Sequence, residues 1–540
     1  MAYETPWMND PSKLNKMELW KIEKDGLDVI RTIIEKYALE GYDSIPEDDM
    51  NRFKWAGVYE QKPRDGYFMM RIRINSGVLT TAQARALATI GRLYGRDLID
   101  VTTRQAIQYH WLRIEDMPDI FKRLEEVGLY SYESCGDCPR TIVGNPLQGI
   151  DKDELMDTTA LVEEVNDFFL MNREFSNLPR KYKMSISANI YNNAHAEIND
   201  LAFTPAVKEI DGEQVIGFHA WVGGGLSAKP YLAKELDMFV RPEEALKVAI
   251  GVTTLFRDHG YREKRHHARL KFLVADWGPE KFQEELLKLI GDMPTKGTSK
   301  TVGWQAAYFD GVHKQKDGRN YIGMNVPVGR TNSDELEQLC DIADQYGEGK
   351  LRTTMSQNII LTGVKDEDLE AALAAPVFQR LTPNPKPFMS RTVSCTGNEF
   401  CNLAIVETKV RAVRVAEYLD EHVQLDEKIR IHFIGCPNGC GQKHIADIGL
   451  QGSLVKTPQG TVDAFDIAIG GILGPDATFN KPLKGRVKGD DVAPVLAQLI
   501  EFYKEGREEN ETFHAYVNRV GVPAFQEKLT GILAAASAAG

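Results

Sequence analysis

Apolar residues recur at helical spacing from Ala82 to Tyr94, crowd into a β-branched and aromatic run with a turn from Ile99 to Leu112, and return to helical spacing from Met117 to Leu124. The same succession comes back later, as helix over Leu336 to Tyr346, strand and turn over Leu351 to Val364, and helix over Leu369 to Leu373. Coarsely, the unit reads strand, helix, strand, helix. Laid on one another, Gly77 to Met117 and Gly329 to Leu369 keep a constant offset of 252 without a gap: Gly77 meets Gly329, Tyr94-Gly95 meets Tyr346-Gly347, and Gln105 meets Gln357. A gapless register over about forty residues, in a chain without low-complexity bias, marks a duplicated unit.

The copies differ in chemistry. The first carries Arg71, Arg73, Arg104, Gln108 and His110, whereas the second has Asn325 opposite Arg73, and Ser356, Ile360 and Thr362 opposite the last three. One copy keeps polar equipment and the other reads as structural. A mixed α/β stretch separates them, and the proline-rich run from Leu381 to Pro387 reads as a hinge. The expected fold class is α+β with a three-domain architecture. It comprises an N-terminal extension (1–50), the first copy (51–124), a mixed α/β domain (125–305), the second copy (306–380) and another mixed α/β domain (388–540).

Charge narrows the functions open to such a chain. Its 540 residues hold 65 Lys and Arg against 78 Asp and Glu, a formal charge of −13, which argues against a dedicated nucleic-acid binder or a basic membrane-surface protein. No apolar run approaches the roughly 18 residues of a membrane span, and Met1 to Thr5 continue into polar sequence without a signal-peptide block. The expected location is cytoplasmic.

Seven cysteines, at 135, 138, 340, 395, 401, 436 and 440, are too few, too clustered and odd in number for a disulfide framework. Metal chemistry is the better-supported use of the four in Cys395-Thr-Gly-Asn-Glu-Phe-Cys401 and Cys436-Pro-Asn-Gly-Cys440. Two close thiolate pairs can hold zinc or an iron-sulfur cubane. Structural zinc prefers about two residues between paired cysteines, occasionally up to about four, whereas five and three intervene here, a looser arrangement that suits ligands reaching separate corners of a cluster. Four buried thiols without metal are the bland alternative. Gly435, Gly439 and Gly441 would allow close backbone approach and amide donors toward sulfur. Cys135-Gly-Asp-Cys138 has redox spacing but no second pair, leaving plain packing and a redox role both open, and Cys340 falls in a core helix pattern.

Together the two cysteine pairs resemble the cluster motif of the ferredoxin-dependent assimilatory sulfite and nitrite reductases, which carry sirohaem. Thr102-Thr103-Arg104-Gln105 with Gln108 and His110, the run Asn177 to Lys183, the string Val222 to Ser227, and Ser356-Gln357-Asn358 occur in that family's order. The resemblance covers roughly residues 50 to 530. It implies ferredoxin-like half-domains for the duplicated unit and sirohaem- and cluster-binding roles for the two mixed α/β domains. It also implies a 4Fe-4S cluster on Cys395, Cys401, Cys436 and Cys440, the last bridging to the sirohaem iron. Arg104, Gln108, His110, Arg180, Gln357 and Asn438 match cofactor-binding positions, and Arg71, Arg140, Lys181 and Lys183 match the catalytic cations on the substrate face.

Cations in an acidic protein fit that reading, because sirohaem is a polycarboxylate and its substrate an oxyanion. The basic run Arg262 to Lys271 reads alone as a solvated helix face, and joined to Arg71, Arg104, Arg140, Arg180, Lys181 and Lys183 as part of such a pocket. The expected reaction is six-electron reduction of sulfite to sulfide, with reduction of nitrite to ammonia as the alternative. Cys395-Thr396-Gly397 and Ile198 to Ala202 look like the nitrite branch, although the former also resembles a bacterial sulfite branch. Lys183 points to sulfite, since plant-type nitrite reductases resemble this run but carry Asn there. With no convincing Gly-x-Gly-x-x-Gly after a strand, the expected donor is reduced ferredoxin, a flavoprotein subunit being less favoured. The expected partners are that donor and a small oxyanion, with no nucleic acid and no membrane, for a monomer. A non-catalytic iron-sulfur or zinc protein is the remote alternative, and leaves the distant Arg and Lys set unexplained.

Overall fold

The computed structural model describes residues 10–304, 308–458 and 460–539. Met1 to Thr5 and the boundary placed between 305 and 306 lie outside the described residues. The duplicated units fold as two sheets that complete each other. Val58–Glu60, Phe68–Ile72, Ile107–Leu112 and Ile99–Val101 form one sheet, and its last strand, Arg330–Thr331, comes from the second copy. Gly311–Lys314, Asn320–Met324, Ile359–Val364 and Lys350–Thr353 form the other, closed by Val78–Thr80 from the first copy. The helices Thr81–Tyr94 and Ser333–Tyr346 each start on a capping box, Thr80 with Gln83 and Asn332 with Glu335. Both bury their apolar faces in one core, where Leu87 and Ile90 join Leu339 and Cys340. The expected elements form, but the exchanged edge strands interlock the copies.

Two glutamines fix this exchange. Gln105 and Gln357 both take left-handed backbone conformations, at φ 56° and 65°. Gln105 Nε2 donates to the Thr353 carbonyl at 3.2 Å and Gln357 Nε2 to the Val101 carbonyl at 3.1 Å, so each reaches into the opposite copy. Their Oε1 atoms accept from Gly144 N and Ser394 N, both at 3.0 Å, tying down the strand that opens each following domain. The same carbonyls explain why the offset pairs glycine with glycine. A Cβ on Gly77 would stand 2.2 Å from Thr353 O, and one on Gly329 2.4 Å from Val101 O.

A second duplication goes beyond the sequence reading. Val143–Gly144, Met184–Ile186, Leu201–Ile210, Glu213–Val222 and Lys234–Val240 lie in that order across one sheet, the first three parallel and the rest antiparallel. Thr392–Ser394, Ile431–Ile434, Ile448–Thr457, Gly460–Ile469 and Lys481–Lys488 repeat that order and those directions. Leu201 pairs with Val222 where Ile448 pairs with Ile469, an offset of 247. Asp200 then meets Asp447, Phe218 meets Phe465, and Gly223-Gly224 meets Gly470-Gly471. From the N-terminal extension, Met17, Val29 and Ile33 pack into the half-domain core beside Phe53 and Trp55. No helix among the described residues is long and apolar enough to cross a membrane.

Replacing Gln357 by Ala leaves the Val101 carbonyl and the Ser394 amide unpaired in the interior. At about 1–3 kcal/mol for each unmade buried bond, Gln357→Ala is expected to cost about 2–6 kcal/mol, read as a lowered urea midpoint. Gln345→Ala, on an exposed face, should shift it by less than about 0.5 kcal/mol.

Candidate cluster and anion site

Neighbouring parallel strands bring the cysteine pairs together. Ser394 lies opposite Phe433 in the register, so Cys395 and the Cys436 loop leave the same sheet edge side by side. Backbone amides point at the sulfurs: Gly435 N donates to Cys395 Sγ at 3.2 Å, and amides of Gly397, Leu403, Ala404 and Asn438 approach Cys395, Cys401 and Cys436. Cys440 raises the other three thiols electrostatically, after burial, so all four share one region. Among the described residues no group of three or more His, Cys, Asp or Glu is placed to hold a single metal ion. Four soft donors that converge without closing on one ion, three of them turned toward amide donors, fit a multi-iron cluster with its ligands at separate corners. Gly397, at φ 71°, is required here, since a Cβ would stand 2.6 Å from Thr408 Oγ1.

The first half-domain seats these loops. Lys62 donates from its backbone to Phe400 O at 2.8 Å and from Nζ to Ala404 O at 3.0 Å, and Phe400 stacks on His110 with centroids 3.9 Å apart. The turn from Thr102 to Gln105 divides its labour. Thr103 Oγ1 donates to Cys440 O at 2.9 Å, Arg104 donates to Asn199 Oδ1 and Thr141 O at 2.9 Å each, and Gln105 makes the exchange bond.

Beside Cys440 lies a pocket of cations without counter-ions. Among the described residues, Arg71, Arg104, Arg140, Lys181 and Lys183 have no carboxylate within ion-pair distance, while nearby Arg180 meets Asp137 at 3.3 Å and Arg269 meets Asp200 at 2.8 Å. Arg71 is aimed by Gln108 Oε1 at 2.8 Å and Cys135 Sγ at 3.1 Å, and Arg140 folds back on Gly136 O at 2.8 Å. Cys440 lies in electrostatic range of Arg71 and Lys181, joining pocket and cluster loop. Burial first, then the guanidiniums of Arg269, Arg180 and Arg140, bring the Lys181 amine down to about 7. Burial, Arg104 and Lys181 hold Lys183 well below the usual lysine range, and burial with Arg140 lowers Arg104 to about 9. Such a set is built for an anion that the protein itself does not supply. Arg71 Nε and Thr141 Oγ1, both buried without a hydrogen-bond partner, add donors that a polycarboxylate would satisfy.

The remaining expected residues sit further out. His110 is buried against Asp100 at 3.3 Å, Gln357 has both ends of its amide on backbone, and Asn438 offers its own amide to Cys436. The basic run 262–271 divides differently from expectation. Arg262 pairs with Glu18 at 2.6 Å, Arg265 with Asp137 at 2.7 Å and Arg269 with Asp200, because carboxylates from other parts of the chain reach each one. Asp137 and Asp200, which aim these groups, carry no local sequence signal. Cys135 and Cys138 are fully buried, and Cys138 Sγ donates to Cys135 O at 3.0 Å.

The second duplication gives the cluster site a counterpart. At an offset of 250 on the first strand and 247 on the next, Asn145, Asp151, Asn189 and Asn193 stand for Cys395, Cys401, Cys436 and Cys440. They form a closed knot: Asn145 and Asn189 donate to Asp151 Oδ2 at 2.9 and 2.7 Å, and Asn193 donates to Asn145 Oδ1 at 3.1 Å. Beside it, Val143, Leu147, Phe309, Met355 and Ile360 fill the space with their own side chains.

Two family models match the chain. Nitrite and sulphite reductase 4Fe-4S domain matches residues 135–292 and 387–534, and nitrite/sulfite reductase ferredoxin-like half domain matches 59–127 and 313–378. An assimilatory ferredoxin-dependent nitrite reductase of Haloferax mediterranei is 38% identical over 95% of this chain and 93% of its own. A sulfite reductase [ferredoxin] of Mycobacterium tuberculosis is 36% identical over 94% and 95%. The solved Mycobacterium tuberculosis NirA protein superposes with a TM-score of 0.91 at 34% identity, covering 97% of this chain and 99% of that one.

Lys181 supplies a pH test. Its amine is lowered from 10.5 to about 7, so between those values it is neutral in the fold and charged in the unfolded chain, and stability rises with pH across that window. An oxyanion must restore the proton. Sulfate affinity, measured by titration calorimetry, is expected to be flat below about pH 6.5 and to weaken by up to about tenfold per pH unit above 7, with uptake of one proton, and Lys181→Met should remove the slope.

Proposed function

Because the chain belongs to the nitrite and sulphite reductase family and is an enzyme of that family, we propose that it reduces sulfite to sulfide at a sirohaem coupled to a 4Fe-4S cluster, with reduced ferredoxin as donor. The observation that carries this reading is the pair Lys181 and Lys183 among half-buried cations that lack carboxylates. Sulfite is bulkier and more highly charged than nitrite, and a second lysine suits it. Held by this pocket and the cysteine loops, the sirohaem and cluster would relay the six electrons that ferredoxin supplies and offer a metal centre to the sulfur.

The residues of the chain would do the rest. Arg71 and Arg140, pinned by Gln108 and Gly136, would hold oxyanion oxygens as fixed forks, while both lysines can turn toward them. Each oxygen must leave as water, so the pocket must deliver protons repeatedly. Lys181 Nζ, with its pKa near 7, can give and regain one at neutral pH. Arg180 and Arg104 would steady the polycarboxylate, with Arg104 anchored on Asn199. Electrons would enter at the Cys401 loop, where Leu403 and Ile405 stand 64% and 47% exposed beside Lys62 and Arg64, a face suited to an acidic ferredoxin.

Nitrite reduction to ammonia is the second reading, favoured by the nitrite reductases among the relatives. Lys183→Asn separates the two. It should lower sulfite kcat/KM more than nitrite kcat/KM by about tenfold or more, given about 1.5–3 kcal/mol for a charge-assisted hydrogen bond. An unchanged ratio in a variant with intact spectra would make nitrite the better assignment. Cys440→Ser should abolish the cluster absorption and disturb the tetrapyrrole bands, whereas Cys340→Ser, in the half-domain core, should leave both intact.

A further inference from the structure

The N-terminal extension reaches beneath the anion pocket. Asn15 caps the helix Lys16–Glu23 by accepting from Met17 N at 3.0 Å, and its Nδ2 donates to Arg262 O at 2.6 Å. That helix turns Lys21 inward, where it is fully buried and meets Glu18 Oε1 at 2.6 Å one turn earlier. Lys21 Nζ also donates to Leu178 O at 2.8 Å and reaches Asp137 Oδ2 at 3.3 Å. Its two remote partners belong to the two loops that carry Arg140 and Lys181.

Those loops behave as one plate. Leu178 N donates to Asp137 O at 2.8 Å, and Arg140 N to Tyr182 O at 3.0 Å. Asp137 also takes Arg265 at 2.7 Å, so its carboxylate is held from the extension on one side and from residue 265 on the other. Gly136, which orients the Arg140 guanidinium, is the residue immediately before Asp137. A burial this complete, with charges matched across 116 residues of sequence, locks the plate from below.

We infer that Lys21 is a positioning residue: through Asp137 and the Leu178 carbonyl it sets Arg140 and Lys181 for the anion, making the extension part of the working site. This rests on the anion-reducing reading, but can be tested without turnover, using sulfate as the probe on the cofactor-loaded enzyme. Lys21→Met should weaken sulfate binding and raise sulfite KM by about tenfold together, because small displacements of positioning groups act strongly on binding. Lys21→Arg should return both to within about threefold of wild type. Arg265→Gln loosens Asp137 from its part-exposed side and should raise the sulfate dissociation constant about threefold. If Lys21→Met fails to fold, Arg265→Gln decides alone. A fall in melting temperature with unchanged sulfate binding and KM would show Lys21 to be merely structural and overturn the inference. A wild-type enzyme that binds sulfate but reduces neither sulfite nor nitrite would strike the functional reading and leave this one standing.

Discussion

Everything in the molecule hangs from the reciprocal bonds of Gln105 and Gln357. Each side chain lies at the point where its half-domain passes a strand to the other, and each also holds the amide that opens the next domain. A side chain with one donor end and one acceptor end can do this only in one orientation, so the amide fixes both partners at once. The left-handed backbone at both positions adds strain, which the bonds on either end offset. Cysteine loop and cation pocket take their relative placement from this joint, because Ser394 leads directly into Cys395 and Thr103, two residues before Gln105, holds Cys440.

Electrostatics then separates two populations of buried and half-buried cation. Those with carboxylates, such as Arg269 on Asp200 and Arg430 on Asp447, are structural and occur in both halves of the second duplication. Those without gather beside the cysteine loops, Arg71 and Arg104 from the first half-domain and Arg140, Lys181 and Lys183 from the domain that follows it. In a protein of net charge −13 this is not for want of acids; the acids are placed elsewhere, and the pocket keeps its unpaired charge for a ligand. Burial lowers the lysine amines for the same reason that it would strengthen their grip on an anion.

Much of this was legible in the sequence, unevenly. The first duplication showed because helix Thr81–Tyr94 and its partner kept length and spacing without a gap. Its strand exchange did not, since a two-residue strand such as Arg330–Thr331 has no periodicity to detect. The second duplication escaped because its loops diverged most where they matter, cysteines standing against asparagines, although Asp200 with Asp447 and the paired glycines were there to be aligned. Cysteine spacing pointed to a cluster unaided, whereas the anion pocket needed the family resemblance to pick its members out of 65 cations. Long-range pairs such as Lys21 with Asp137 leave no local pattern at all.

The asparagine and aspartate knot at the mirror position bears on throughput. Two fused halves of like architecture could have housed two centres, yet Asp151 and its neighbours close one of the two places with hydrogen bonds. If, as proposed, the single cysteine set carries the cluster, every electron would pass the same doorway in turn, and one-electron carriers would queue there for each molecule reduced. The pace of the whole cycle would then be open to limitation by carrier exchange at one small patch, while the half without cysteines contributes Arg140, Lys181 and Lys183 to the anion pocket rather than a second point of entry.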